Sequence, residues 1–226
     1  MGGVAIDGAS YKGPLTAVRA FGENVLDPIL GVTRRVCQVS VWIGGLGLIG
    51  ASILIGVEVL IRKFFALSIG GADEIGGYVL SMSAAWAFGF ALLQRGHVRI
   101  DSIYVTFHPR VRAFLDLLGV ALFMYFFGLI LYYAYDVLAD SIRVGTVSWT
   151  KLQTPLVIPQ SVWFAGLLVT VFVALLLFLR SLIHFATGDL AAMQPLVGSR
   201  SVDEELKEEI KVLEEDQTAL KRDDGE

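Results

Sequence analysis

Four long apolar stretches set the strongest limit on what this chain can fold into. They lie at about residues 39–61, 75–93, 114–138 and 156–182. A helix that crosses the hydrocarbon core of a bilayer needs roughly 20 apolar residues, and each stretch is close to that length or exceeds it. In lipid, a single stretch must satisfy its own backbone hydrogen bonds, as a helix does. The composition agrees, because 55% of the residues are hydrophobic and only 18% are charged. We therefore predict an all-α integral membrane protein whose four transmembrane helices form a membrane domain over residues 39–182.

The distribution of lysine and arginine predicts how these helices are oriented. Fourteen of the 18 Lys and Arg residues lie before the first stretch, between the second and third, or at the end of the fourth and in the tail that follows it. Such residues accumulate on the cytoplasmic side of membrane proteins. We therefore expect both termini and the 94–113 connection in the cytoplasm, and the 62–74 and 139–155 connections outside. Four aromatic residues then suit the outer membrane interface: Tyr132, Tyr133, Tyr135 and Trp149.

The segments that flank the membrane domain carry patterns of their own. Residues 1–38 lack a continuous apolar core, so we expect no cleaved signal peptide. Apolar residues within 15–30 fall near one helical face, which predicts either an interfacial helix or a loosely ordered leader. Residues 183–226 form a charged cytoplasmic tail. Its 202–220 part has helical spacing and dense Glu and Lys, which is typical of a solvated amphipathic helix.

The sequence offers little for catalysis or for cofactor binding. Cys37 is the single cysteine, so neither an internal disulfide nor a site built from several thiolates is expected. His97, His108 and His184 lie outside the apolar stretches, where they cannot act as haem ligands from facing helices. Phosphate-binding loops and HExxH motifs are absent from the sequence. We expect no catalytic residue, no cofactor and no metal site, and the net charge of −4 does not suggest a nucleic-acid partner.

Glu58 is the carboxylate that stands most clearly within an apolar stretch. An ionisable group inside a membrane is a functional candidate by default, and proton binding is one possible role. Arg62 follows four residues later, in the favourable order for an ion pair on one helix. Because the pair lies near the outer end of the stretch, we favour a structural ion pair of the weak, interfacial kind. Asp116 and Asp136, near opposite ends of the third stretch, are predicted to be interfacial too.

Three short motifs, in order along the chain, resemble one family of membrane proteins. An arginine with aromatic residues ends the first stretch, an acidic pair opens the second, and a polar motif follows the second: Arg62-Lys63-Phe64-Phe65, Asp73-Glu74 and Gly96-His97-Val98-Arg99-Ile100-Asp101. Together with Pro155 and Pro159 around the start of the fourth stretch, they resemble the DctQ-like small membrane subunit of tripartite ATP-independent periplasmic (TRAP) transporters. The resemblance covers about residues 39–182.

The resemblance implies a role without chemistry of its own. In this family the small subunit pairs with a large membrane subunit that carries the substrate and sodium sites, while a periplasmic binding protein delivers an organic acid or related polar solute. The small subunit would act as a static scaffold, surrounded by lipids of the bacterial inner membrane. The residues of the family motifs would be structural or contact the partner: Arg62, Glu74, His97, Arg99 and Asp101. The outer connections would offer contacts to the binding protein: Lys63, Asp73, Arg143 and Lys151.

Two other functions remain open at this point. One is an autonomous four-helix exporter that uses Glu58 to exchange protons. The other is a membrane-anchored redox subunit, which the histidine positions do not favour. An exporter would transport without any partner, whereas a scaffold subunit would not.

Overall fold

Four long helices make up almost all of the described structure. The computed structural model describes residues 22–95 and 107–188, together with Met193, Leu196 and Ile210. A short π-helix, Gly22–Leu26, leads directly into the first α-helix. The helices are α1 (Asp27–Phe65), α2 (Ala72–Leu93), α3 (Pro109–Val144) and α4 (Val157–Thr187). All four are long and apolar enough to cross a membrane, which confirms the predicted all-α membrane architecture.

Three helices extend well beyond the apolar stretches that predicted them. α1 begins 12 residues before position 39, α3 both begins and ends outside 114–138, and α4 continues past 182. The extra turns contain polar residues such as Arg34 and Arg143. Apolarity is needed only inside the hydrocarbon, so a helix can continue into water on either side, and the apolar pattern therefore underestimates its length. The interfacial helix considered for 15–30 lies partly outside the described residues, and residues 27–30 belong to α1.

The helices form a row rather than a closed bundle. Their order across the row is α1, α2, α4, α3. α4 is the most enclosed of the four and α1 the least. The connections 66–71 and 145–156 meet at one end of the row, which we call the outer end because of the expected orientation. The start of α1, the start of α3 and the end of α4 define the inner end.

Small residues bring α1 and α2 together. The carbonyl oxygen of Gly44 accepts a hydrogen bond from Ser83 Oγ at 3.2 Å. A Cβ atom at Gly44 would lie 3.1 Å from the Cβ of Ser83, so a larger residue would push the helices apart. Gly76 of α2 likewise faces the tip of Ile55, which a Cβ would approach to 2.8 Å. Close approach at small residues is a common way for membrane helices to associate.

A polar seam joins α2 to α4 in the middle of the row. Trp86 Nε1 donates to the carbonyl of Val162 at 3.0 Å, and Thr170 Oγ1 donates to the carbonyl of Ala85 at 3.0 Å. Both bonds are made to backbone oxygens of the opposite helix. Gly166 permits this approach, because a Cβ there would lie 2.7 Å from Trp86 Cδ1 and 3.1 Å from the backbone carbon of Ala85.

Apolar packing completes the row. Phe123 stacks on Phe127 of the same helix with ring centroids 4.4 Å apart, and Tyr135 of α3 lies 6.4 Å from Phe164 of α4. Towards the inner end all four helices contribute to one buried cluster: Cys37, Leu92, Leu93, Ala113, Val120, Val173, Ala174, Leu177 and the downstream Met193. The four helices are therefore gathered most tightly at the inner end.

Candidate functional site

A carboxylate network closes the outer end of α1. Glu58 is almost fully buried, with 1% of its surface exposed. Its carboxylate accepts hydrogen bonds from Arg62 Nη2 and Ser68 Oγ, both at 2.6 Å, and from the backbone N–H of Ile69 at 2.8 Å. The pairing with Arg62 was predicted from the spacing, whereas Ser68 and Ile69 lie in the following connection. Glu58 therefore holds the chain after α1 against its own helix, and it is more buried than an interfacial ion pair would be.

A second carboxylate joins α2 to the connection between α3 and α4. Glu74 lies in the first turn of α2, where the helix dipole favours negative charge. One of its oxygens accepts a hydrogen bond from Tyr78 OH at 2.6 Å, and the other accepts one from Thr150 Oγ1. Because Thr150 is 76 residues away in the sequence, this contact fixes the position of one outer connection relative to the other.

The two outer connections form one contiguous surface, which we call the outer cap (residues 66–71 and 145–156). Gly70 packs against the side chain of Lys151, and Gly71 against Leu152. Both glycines have positive φ, 70° and 132°, a region that residues with a Cβ rarely adopt. A bridge between Val147 and Pro155 narrows the second connection into a hairpin-like turn. Neither connection is a free loop.

The charged residues predicted to contact a binding protein lie on or beside the outer cap. Lys63, Asp73 and Lys151 are exposed, and Arg143 is paired with the exposed Asp140 at 2.9 Å. At the centre of the cap, Glu58 and Glu74 are turned towards hydrogen-bond donors of this chain. The charges that remain available to another protein are thus those at the edge of the cap.

The inner end carries an ion pair that the sequence did not suggest. Arg180 Nη2 of α4 lies 2.8 Å from Asp27 Oδ2 of α1. Arg180 is 6% exposed, and its Nε and Nη1 are buried with no hydrogen-bond partner among the residues that the structure describes. The sequence indicated only that Arg180 lies at the end of an apolar stretch, which is typical of positive residues at the cytoplasmic surface. Asp27 gave no signal, since it lies outside the apolar pattern.

Two further aspartates differ in their surroundings. Asp116 is buried against its own chain, with 1% of its surface exposed, and its interfacial position stays a prediction. α3 begins seven residues before it, so Asp116 lies on the second turn of a longer helix and faces its neighbours. Asp136 is exposed, as an interfacial residue would be. The three motif residues His97, Arg99 and Asp101 lie outside the described residues.

The arrangement of polar groups is structural in character. Within residues 22–95 and 107–188, no three His, Cys, Asp or Glu side chains come together as a metal site would require. His108 instead caps α3, where its Nδ1 accepts the N–H of Arg110 at 3.4 Å. Sequence reasoning identified Glu58, Arg62 and Glu74, but it missed Ser68, Tyr78 and Thr150. Those three are ordinary polar residues whose role appears only when the outer connections are folded.

Comparison with known proteins identifies a family that this chain matches. Residues 51–184 match the family model described as "Tripartite ATP-independent periplasmic transporters, DctQ component". The matched segment covers more than half of the chain and includes the outer part of α1 (51–65), all of α2 and α3, most of α4 and both outer connections. No curated protein and no solved structure matches the chain significantly.

Proposed function

The chain belongs to the DctQ family of TRAP transporter components, and on that premise we propose that it is the scaffold subunit beside a large, sodium-coupled membrane subunit. It is a transporter component and not an enzyme. The proposal includes an organic acid or related polar solute, a periplasmic binding protein that brings it, and location in a bacterial inner membrane. Both termini would then be cytoplasmic, with the outer cap in the periplasm.

The bonding of Glu58 is the observation that most supports a scaffold. A carboxylate that exchanges protons or binds an ion during transport must be released from its partners in part of the cycle. Glu58 instead accepts hydrogen bonds from three donors of its own chain, and one of them is the backbone N–H of Ile69 in the outer cap. A row of helices also leaves its two broad faces open, which suits packing against a larger protein.

A reconstitution experiment tests this proposal. The purified chain alone in sodium-loaded or proton-loaded vesicles should transport no solute. Uptake should appear when the large subunit, the binding protein and an inward sodium gradient are supplied together. The measurement is accumulation of labelled solute, with omission of each component as the control. Transport by the chain alone would contradict the scaffold proposal and favour the exporter.

Labelling of cysteines tests the proposed orientation. In a Cys37→Ala background, Leu67→Cys and Trp149→Cys place thiols on exposed positions of the outer cap. A maleimide that cannot cross the membrane should label both in intact cells. Arg110→Cys, exposed at the start of α3, should be labelled only after the cells are opened. The reverse pattern would place the termini outside.

A further inference from the structure

A regular apolar stripe follows the exposed side of α1 over almost its whole length. Its members are spaced alternately by four and three residues, begin with Val25 of the preceding π-helix, and are all exposed: Val25, Ile29, Val32, Val36, Val39, Ile43, Leu46, Gly50, Ile53, Val57, Leu60 and Phe64. This spacing is the heptad repeat by which two helices pack at a small crossing angle. We call these residues the α1 stripe. It is separate from the side of α1 that contacts α2.

The inner part of the α1 stripe lies beyond the membrane. α2 has 22 residues, about 33 Å of helix, which just spans the roughly 30 Å hydrocarbon core. Its last residues, Leu92 and Leu93, pack in the same cluster as Cys37 of α1. The ten residues Asp27–Val36 then project about 15 Å further, whereas the headgroup layer on each side is only about 5–8 Å thick. Lipid chains therefore cannot cover the stripe at its inner end.

The other sides of this projecting part of α1 are already explained. Leu26, Thr33 and Cys37 are buried against the chain's own helices. Arg34 and Gln38 are exposed and polar, as expected in water. Val32 is 64% exposed, although neither solvent nor lipid favours an apolar residue at this position. The α1 stripe is thus a third side of this segment, next to the buried side and the polar side. Because it is apolar, regularly spaced and outside the membrane, it indicates that another protein covers it.

The shape of the stripe and its flanking charges indicate what kind of partner this is. Gly50 of the stripe faces open space, so another helix can approach the stripe closely inside the membrane. Arg35 and Lys63 flank the stripe near its two ends, and neither has an ion-pair partner among the described residues. A second copy inserted in the same orientation would place equal cations at equal heights. A helix with carboxylates at those heights would be complementary to both.

We propose that the α1 stripe is the seam along which one long helix of the large membrane subunit packs, from the inner surface to the outer end. The inference rests on the proposed function and assigns its main contact to one helix face. The partner helix would carry apolar residues at heptad spacing and an acidic residue near each membrane surface. α1 thereby becomes an internal element of the complex, with α2 on one side and the partner helix on the other.

Protection of single cysteines tests the α1 stripe. In the full chain with Cys37→Ala, Val32→Cys and Val36→Cys lie on the stripe, while Arg34→Cys and Gln38→Cys lie on the polar side at similar depth. Inner membrane vesicles that expose the cytoplasmic surface are treated with a water-soluble maleimide, with and without the large subunit. The stripe cysteines should be labelled an order of magnitude more slowly when the large subunit is present. The two control cysteines should be labelled at the same rate in both preparations.

Each other result has a defined meaning. Protection of Val32→Cys without the large subunit would mean that the chain's own tail or a second copy covers the stripe, and would overturn the proposal. Unchanged labelling in a complex that copurifies intact would contradict the assignment of the α1 stripe as the interface, but it would not contradict the scaffold function. Failure of the two subunits to copurify would contradict both the scaffold function and the assignment of the α1 stripe as the interface.

Discussion

Gly166→Leu should lower the free energy of unfolding by about 1–3 kcal/mol, the usual cost of overfilling a packed site. Gly166 is where α4 comes closest to α2, and a Cβ there already lies 2.7 Å from Trp86 Cδ1. The indole can turn away only by giving up its bond to the carbonyl of Val162. The backbone carbon of Ala85, 3.1 Å away, cannot turn at all. Thermal unfolding of the purified protein in detergent measures the loss.

Gly128→Leu is the matched control for this change. Gly128 lies in the middle of α3, and a Cβ there meets nothing within 4 Å. The same substitution at this position should leave the melting temperature unchanged or raise it slightly, because glycine is a poor helix former. Equal melting temperatures for the two variants would mean that α2 and α4 do not pack through Gly166.

Glu58→Gln should be the second most damaging change. The oxygen of the amide introduced by this change can still accept hydrogen bonds. Its NH2 group, however, takes the place of a carboxylate oxygen that accepts hydrogen bonds in the native protein, and an NH2 group cannot accept them. Arg62→Gln should be milder, because Ser68 and Ile69 still hold the carboxylate. The double variant should be less damaged than the sum of the single variants, since the two residues interact directly. Melting temperature and yield of the assembled complex measure these effects.

Transport separates the structural role of Glu58 from a role in ion coupling. Uptake divided by the amount of assembled complex should survive Glu58→Gln. Asp140→Asn is the control, because Asp140 pairs with Arg143 at an exposed site, where ion pairs contribute little. It should change neither stability nor uptake. An intact Glu58→Gln complex that no longer transports would show that the carboxylate takes part in coupling.

The number and type of the helices could be predicted from the sequence, but not their arrangement. The spans follow from the bilayer, which requires long apolar segments with internal hydrogen bonds. Within the membrane nearly every side of a helix is apolar, so hydrophobicity does not show that Gly166 faces a neighbour while Gly128 does not. The contact depends on small residues and on backbone oxygens such as that of Ala85. Neither leaves a periodic signal.

The candidate site was predictable only where it is local. The Glu58–Arg62 pair lies on a single helix, and its spacing of four residues was enough to identify it. The contact between Glu74 and Thr150 depends on how the outer cap folds, which no pattern in the sequence specifies. The burial of Asp116 could not be predicted either, because the apolar pattern does not show which side of α3 faces the neighbouring helices.

The seam between α2 and α4 also has a consequence for biosynthesis. α1 with α2, and α3 with α4, are hairpins of neighbouring helices, so each can close as soon as its own two helices are inserted. The bonds of the seam join residues 76 and 85 positions apart, and contacts between distant residues form late. The nascent chain would therefore hold the indole N–H of Trp86 without its acceptor, the carbonyl of Val162, in the bilayer until the ribosome has delivered α4. During that interval the hairpin of α1 and α2 exposes to the membrane the side of α2 that will later contact α4. Insertion factors or the partner subunit would be able to bind this side.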